Sequence, residues 1–304
     1  MLRVLSQPAL RSPALLCGFS GWADAASAAS AALRYLLLKR HGERIAEFDP
    51  DAIYSYTTTR PITFLDDLGR RQLQWPALFW TALEAPEAPR DLVILVGPEP
   101  DLRWRECIQS IGEFAARLGV SRIVTFGAFL AQVHYAGTPA MLGISSDPLM
   151  QARMRDLGIE QSNYQGPTGF VTAVLRDAAD RGIPSASLWV AAPSYLSSTS
   201  NPKLAAALLR AAEHLLGQEL WCQELEAAGR DMERRIEEAL RQRPDLATFL
   251  RQLSGERQSP SPPAQSSEDQ EAELPSAEEV LRDLEEHLRR LRGGPGRDDD
   301  AESL

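Results

Sequence analysis

Cysteine and histidine are scarce in this chain of 304 residues, which contains three cysteines and four histidines. The cysteines, Cys17, Cys107 and Cys222, are far apart and form no CxxC pair. This pattern is typical of a reducing compartment, so we expect a cytoplasmic protein with free thiols. No set of His, Cys, Asp and Glu residues has the spacing of metal ligands, and we therefore expect no metal site.

Long apolar runs and an excess of basic residues are also missing. No window approaches ~18 uninterrupted apolar residues, so we expect no membrane span. Pro8, Arg11 and Pro13 interrupt the N-terminal segment, which argues against a signal peptide. The net charge of −10 argues against non-specific binding to nucleic acid or to anionic membranes. Residues 255–304 hold 14 acidic and 6 basic residues, so the acidity is concentrated in the C-terminal segment.

The rest of the chain alternates apolar runs with amphipathic stretches, which is typical of an α/β protein. The run DLVILV at 91–96 predicts a central parallel strand that is covered on both faces. Asp24 is placed to cap the first long helix. Residues 53–64 look extended, and residues 71–82 are expected to form the strands of a hairpin. We expect strands at 14–19, 44–48, 91–96, 121–126, 140–145 and 185–192, and helices at 24–39, 103–118, 147–156, 170–181, 202–216, 222–241 and 246–253.

The composition divides the chain into a long folded part and a C-terminal extension. We expect an αβα domain at 1–220, a helical region at 221–254, a disordered acidic Pro/Ser-rich linker at 255–274, an amphipathic helix at 275–293 and a disordered tail at 294–304. Ser276 and Glu279 form a capping box. The helix behind them has an apolar stripe, which predicts either a latch that packs back on the domain or a partner-binding helix, with the latch favoured. The stripe consists of Val280, Leu281, Leu284, Leu288 and Leu291.

Four motifs occur in a recognisable order. They are GFSGWADAASAAS in the first strand and the turn after it, LVGPEPDLRW, YQGPTGFVTAVL and SLWVAAPSYLSSTSNPKLAAALL. Together they resemble bacterial members of the PAC2 (proteasome assembly chaperone) family, from about Leu15 to Leu216. The resemblance implies a three-layer αβα sandwich similar to the phosphorylase/hydrolase-like fold, with a C-terminal helical extension. It also implies homo-oligomers and a link to the assembly of proteasomes.

The chain departs from the family pattern at three places. Residues 133–139 read VHYAGTP where relatives often have P-H-T-R-P, and residues 193–195 read PSY where relatives often have P-H-Y. The sequence ends in ESL, without the tyrosine of the hydrophobic–Tyr–any tail that such chaperones can use to dock on proteasome α-rings. We therefore do not expect this chain to dock on a ring through such a tail.

Two motifs suggest chemistry, and each has a structural alternative. Residues 18–22 nearly match the G-x-S-x-G nucleophile elbow around Ser20, but Trp22 replaces the second glycine. We favour Ser20 as a turn hydroxyl and Trp22 as a packing residue. The turn at 166–169 could hold an anion at the start of a helix; the favoured alternative is a tight turn with Thr168 as the N-cap.

Ligand crevices of open parallel sheets form at the carboxyl ends of the strands. The candidate ligand or interaction crevice consists of the residues that follow these strands or precede the next helix. They are Ser20, Gly21, Trp22, Asp24, Gly97, Glu99, His134, Gly166, Thr168, Gly169 and Tyr195.

No complete catalytic set is present among these residues, so we expect no catalytic residues and no cofactor. We expect a noncatalytic, self-associating chaperone or scaffold-like protein with an unidentified protein partner. The alternative is a protein or enzyme that binds a phosphate- or nucleoside-like small molecule in the crevice.

Overall fold

The computed structural model describes residues 1–243. Its helices are α1 (Ala28–Lys39), α2 (Pro50–Ile53), α3 (Trp104–Arg117), α4 (Pro148–Asp156), α5 (Phe170–Asp180), α6 (Pro202–Leu216) and α7 (Gln223–Gln242). Short 3-10 turns occupy Ala25–Ser27 and Ser194–Leu196. The strands are β1 (Leu2–Val4), β2 (Ala14–Ser20), β3 (Glu43–Phe48), β4 (Ile62–Leu65), β5 (Arg71–Gln74), β6 (Phe79–Leu83), β7 (Leu92–Pro98), β8 (Arg122–Ala131), β9 (Met141–Ser145), β10 (Glu160–Gln161) and β11 (Ser185–Pro193).

A nine-stranded sheet in the order β1-β3-β6-β7-β2-β8-β11-β9-β10 forms the centre of the fold. The four strands β7, β2, β8 and β11 run parallel, with Leu16 of β2 opposite Ile94 of β7 and Val124 of β8. Their side chains are apolar along most of their length because helices cover both faces of the sheet. The prediction that residues 91–96 form a central parallel strand is therefore confirmed.

The core consists of two apolar clusters, one on each face of the sheet. Helices α1, α4 and α6 cover one face, where Leu33 and Leu208 are fully buried. Helices α3 and α5 cover the other face, where Phe114 and Phe170 are fully buried. Helix α7 packs on α6 outside this core. The molecule is the three-layer αβα sandwich that the sequence predicts.

The segment between β3 and β7 differs from the prediction. Residues 53–64 are not one extended stretch, because α2 and a turn precede β4. Residues 71–82 do not form one hairpin: β5 pairs with β4 in a separate two-stranded sheet, and β6 joins the large sheet between β3 and β7. Pro76 separates β5 from β6, since proline has no N–H to donate to a strand ladder.

Two further boundaries differ. The helix expected from residue 24 begins at Ala28, because the chain first makes a 3-10 turn in which Ala26 and Ser27 have φ near 52°. Strand β8 continues to Ala131, beyond the predicted end at residue 126. The predicted helix at 246–253, the linker at 255–274, the helix at 275–293 and the tail at 294–304 lie outside the described residues.

Candidate functional site at the carboxyl ends of the parallel strands

Glu99 connects three loops at the carboxyl edge of the sheet. Its backbone N–H donates to the carbonyl of Ser20 at 2.8 Å, which joins the ends of β7 and β2. Its carboxylate accepts a hydrogen bond from the backbone N–H of Phe170 at 2.7 Å, and a further one from the backbone N–H of Trp22. Burial raises the pKa of the Glu99 carboxyl above its usual range, although these two donors oppose the shift. The carboxylate thus serves as an internal tie between the loops.

The start of α5 differs from the prediction. Thr168 is not the N-cap: it is exposed, and Gly169 occupies the capping position without a side-chain bond to the helix. The cap comes from Glu99, on a distant loop, which accepts from the first N–H of α5. Since an anionic group already occupies this helix N-terminus, a bound phosphate would meet a like charge there.

Trp22 is more exposed than predicted. Its side chain is 64% exposed, although one edge of the indole lies close to Gly169, where an added Cβ would be 3.2 Å from a ring carbon. Most of the Trp22 side chain faces solvent, so the expectation that Trp22 is a packing residue is wrong. Gly21 has φ of 132° and makes the turn, whereas Ser20 is an ordinary last residue of β2. This is not the geometry of a nucleophile elbow, in which the serine itself sits on the sharp turn.

Asp24 is buried and stabilises the entry to α1. Its carboxylate accepts from the backbone N–H groups of Ala29 at 2.8 Å and Ser30 at 3.2 Å. Asp24 accepts hydrogen bonds from the first turn of the helix, as predicted for a cap. It is not the residue that directly precedes the helix, because a 3-10 turn lies between them. Burial raises the pKa of Asp24, with its hydrogen bonds opposing the shift.

Gly97 and Gly166 each lie where a side chain would meet a neighbouring group at short distance. A Cβ at Gly97 would be 2.3 Å from the carbonyl oxygen of Ala77, so the absence of a side chain lets the segment before β6 pass over the end of β7. A Cβ at Gly166 would lie 2.5 Å from the hydroxyl of Tyr164. Gly97 therefore belongs to the packing beneath the crevice, whereas Gly166 lies in the exposed loop before α5.

His134 and Tyr195 belong to a second group of contacts, around the ends of β8 and β11. The buried Tyr195 hydroxyl accepts from the N–H of Tyr135 at 2.9 Å and donates to the carbonyl of Val133 at 3.1 Å. His134 is exposed, and its Nδ1 accepts from the N–H of Ala136 at 3.2 Å. The imidazole is thus partly engaged by its own loop.

Lys203, at the start of α6, is a residue of this group that the sequence reasoning missed. Its ammonium donates to the carbonyls of Tyr135 at 3.0 Å and Gly137 at 2.7 Å, and it forms a salt bridge with Glu233 of α7. It therefore ties the His134 loop to two helices. Lys203 belongs to the family motif that ends in NPKLAAALL, but the motif does not indicate which groups the ammonium contacts. A pocket beside it encloses about 10 Å³, close to the least that holds one water molecule.

Residues 1–243 contain neither an accessible cysteine thiol nor a group of side chains arranged to bind a metal ion. The three cysteine thiols are buried, and burial raises the pKa of Cys107 to about 11 and that of Cys222 to about 12. Within this part of the chain no group of three or more His, Cys, Asp or Glu side chains could hold a metal ion. No described helix is both long and apolar enough to cross a membrane.

Large apolar side chains, in contrast, are exposed along this edge. Trp22 follows β2, Leu102 follows β7, Leu130 lies near the end of β8 and Tyr164 precedes α5. The β4–β5 hairpin also starts here, because Ala77 and Leu78, which lead from it into β6, pass over Gly97 at the end of β7. Exposed large apolar side chains that follow neighbouring strands make this edge a candidate site for binding another protein.

The architecture and this edge define a class: a three-layer αβα protein whose crevice loops are tied together by their own polar groups. Comparison with known proteins gives the family. The model described as the PAC2 family matches residues 18–240, and the chain belongs to the PAC2 family. A comparison with curated proteins found no match.

Solved structures agree with this assignment. A PAC2 family protein from Streptomyces avermitilis is 34% identical, with a TM-score of 0.67, and the match covers 74% of this chain and 95% of that one. A proteasome-assembly chaperone homologue from Mycobacterium tuberculosis is 32% identical, with a TM-score of 0.69, over 78% of this chain and 99% of that one. An archaeal homologue of proteasome-assembly chaperone from Pyrococcus furiosus, 17% identical with a TM-score of 0.55 over 80% and 96% of the two chains, shares the fold.

Proposed function

We propose that this chain is a noncatalytic, self-associating cytoplasmic protein that binds another protein through the carboxyl edge of its sheet, in a chaperone or scaffold-like role. Its family membership supports the proposal, as does the name of the Mycobacterium relative, a proteasome-assembly chaperone homologue. Proteasome subunits are therefore the first partners to test.

The observation that carries the proposal is the contrast between polar and apolar groups at this edge. The polar groups that chemistry would need are engaged internally: Glu99 and Asp24 accept from helix N–H groups, and Tyr195 and Lys203 hold the His134 loop. The apolar groups are the ones left facing solvent, Trp22 above all. Exposed tryptophan is a frequent anchor of protein interfaces, because its large surface gains much by burial.

A binding experiment with purified proteasome α-subunits tests this role. Full-length protein and subunits are mixed and separated by size-exclusion chromatography, and the variant Trp22→Ala is compared with Leu38→Ala. Leu38 is 88% exposed at the C-terminal end of α1 and serves as the matched control. We expect the wild type and Leu38→Ala to co-elute with the subunits, and Trp22→Ala to bind at least about 30-fold more weakly. Equal binding by both variants would contradict a role for this edge.

The alternative of a small-molecule site has one observation in its favour. The turn after β2, the end of β7 and the start of α5 converge around Glu99, with the Trp22 indole exposed beside them as a stacking surface. A phosphate is disfavoured by the Glu99 carboxylate at the start of α5. A thermal-shift series with phosphate, nucleosides and nucleotides tests it, since a ligand that binds the folded state raises the melting temperature. A shift that Trp22→Ala abolishes would support this alternative.

A further inference from the structure

Three arginines meet at the amino edge of the sheet, at the opposite end of the strands from the candidate site. Arg90 lies two residues before β7, Arg122 is the first residue of β8 and Arg153 lies on α4, and all three are half-buried. Two of them converge on the C-terminal end of α6. A guanidinium nitrogen of Arg153 donates to the carbonyl of Leu215 at 2.7 Å, and one of Arg90 donates to the carbonyl of Leu216.

Arg122 belongs to the same cluster. Residues directly opposite one another on parallel strands share a face of the sheet, and Arg122 is opposite Ala14 of β2, which is opposite Leu92 of β7. Ala14 and Leu92 belong to the apolar cluster on the face that α6 covers, so Arg122 lies on that face too. Burial lowers the pKa of Arg90, and the nearby positive charges of Arg122 and Arg153 lower it further. The three guanidinium groups are therefore close enough to repel one another.

The cluster has no acidic partner among the described residues. The acids that adjoin it in the sequence are engaged elsewhere, since Asp91 pairs with Arg11, and Glu213 in the last turn of α6 pairs with Arg210. The C-terminal end of a helix contributes only about half a negative charge, against three full positive charges. A large excess of positive charge is thus held in a half-buried position.

Capping of α6 is the structural alternative for this cluster. It accounts for Arg90 and Arg153, because cationic donors suit the last carbonyls of a helix. It does not account for Arg122, whose Nε is buried without a hydrogen-bond partner, as is the Nε of Arg90. A buried donor on a charged group is costly when it has no acceptor. A bound anion that supplies acceptors explains both the unpartnered donors and the excess of positive charge.

We propose that Arg90, Arg122 and Arg153 form a binding site for a phosphate group, either free or carried by a small molecule. Guanidinium groups bind phosphate through pairs of parallel N–H···O bonds. A phosphate monoester carries about −1.5 to −2 charges at pH 7, which balances three arginines better than one carboxylate does. The site goes beyond the proposed function and does not depend on it, because it lies at the other edge of the sheet.

Isothermal titration calorimetry of the full-length protein with inorganic phosphate and with methyl phosphate tests the site and distinguishes the free ion from an ester. Arg122→Met removes the guanidinium that capping does not explain. The control Arg155→Met removes an exposed arginine two residues from Arg153 on the same helix. We expect the wild type and Arg155→Met to bind equally, and Arg122→Met to bind at least about tenfold more weakly, since hydrogen bonds between charged groups contribute that much. Arg122→Lys keeps the charge without the planar fork and should retain part of the affinity.

Thermal melting without ligand separates a binding site from a structural cluster. Arg122→Met removes a half-buried charge that has no partner, so we expect the ligand-free variant to melt at the wild-type temperature or above it. Added phosphate should raise the melting temperature of the wild type more than that of Arg122→Met. The general stabilisation of folded proteins by phosphate is common to all variants and cancels in this comparison.

Three results would overturn the site. The first is a wild type that binds neither phosphate nor methyl phosphate. The second is equal binding by Arg122→Met, or a phosphate shift that Trp22→Ala abolishes instead, which would move the ligand to the other edge. The third is a ligand-free Arg122→Met that melts well below Arg155→Met, which would give Arg122 a structural role.

Discussion

Replacing Glu99 with alanine is the sharpest test of how the carboxyl edge is held together. The substitution leaves the N–H groups of Phe170 and Trp22 without their acceptor and removes the cap of α5. Loss of a cap costs about 0.5–2 kcal/mol, and a buried donor without a partner about 1–3 kcal/mol. We expect the free energy of unfolding to fall by about 2 kcal/mol, which is on the order of 4–8 °C in melting temperature for a body of this size.

The variant Glu99→Gln separates the hydrogen bonds from the charge. Burial raises the pKa of Glu99, so the folded state binds the proton more tightly than the unfolded state does. The associated stabilisation is full below the unfolded pKa of about 4.3 and is lost as the pH rises through the higher folded pKa. Glutamine keeps an acceptor oxygen but does not ionise. We therefore expect the stability of Glu99→Gln relative to wild type to increase with pH across this window.

Urea denaturation of the full-length protein, followed by circular dichroism between about pH 4 and 7, measures both effects. The control is Glu106→Ala, because Glu106 is exposed and pairs with Arg103 on the surface of α3. Such a surface pair contributes little. The reasoning is refuted if Glu99→Ala changes the free energy of unfolding by less than about 0.5 kcal/mol, or by no more than Glu106→Ala does.

Two further predictions concern packing and the thiols. Gly97→Ala places a Cβ 2.3 Å from the Ala77 carbonyl oxygen, so we expect a loss of about 3 kcal/mol in thermal or urea denaturation. The control Gly119→Ala meets open space and bears only the strain of φ at 68°, about 1 kcal/mol; equal effects would contradict the close approach at Gly97. The three buried cysteines should react with an aromatic disulfide reagent at about pH 8 only after denaturation, since burial raises their pKa; rapid reaction of one thiol in the folded protein would contradict this.

The sequence predicts the elements that local patterns determine. The apolar run at 91–96 becomes β7 at the centre of the sheet, and the helix expected at 202–216 is α6 with those same bounds. In both cases the determining residues are neighbours along the chain. The family motifs then extend these local patterns to a complete fold.

Contacts between distant parts of the chain were harder to predict. The cap of α5 comes from Glu99, 71 positions away in the sequence, whereas local patterns point to Thr168. The partner of β5 depends on which strand enters the large sheet: β6 pairs with β7 there, and β5 is left to pair with β4. The exposure of Trp22 likewise depends on whether a distant part of the chain packs over it, and the residues next to Trp22 in the sequence do not indicate this.

Hydroxyl-radical footprinting of the full-length protein, alone and with proteasome α-subunits, tests the central claim most directly. Trp22 and Tyr164 lie on the carboxyl edge, and Leu38 lies at the end of α1 as an internal reference. If this edge binds a partner protein, oxidation of Trp22 and Tyr164 falls in the complex while that of Leu38 is unchanged. A complex in which Trp22 stays as reactive as in the free protein would contradict the account.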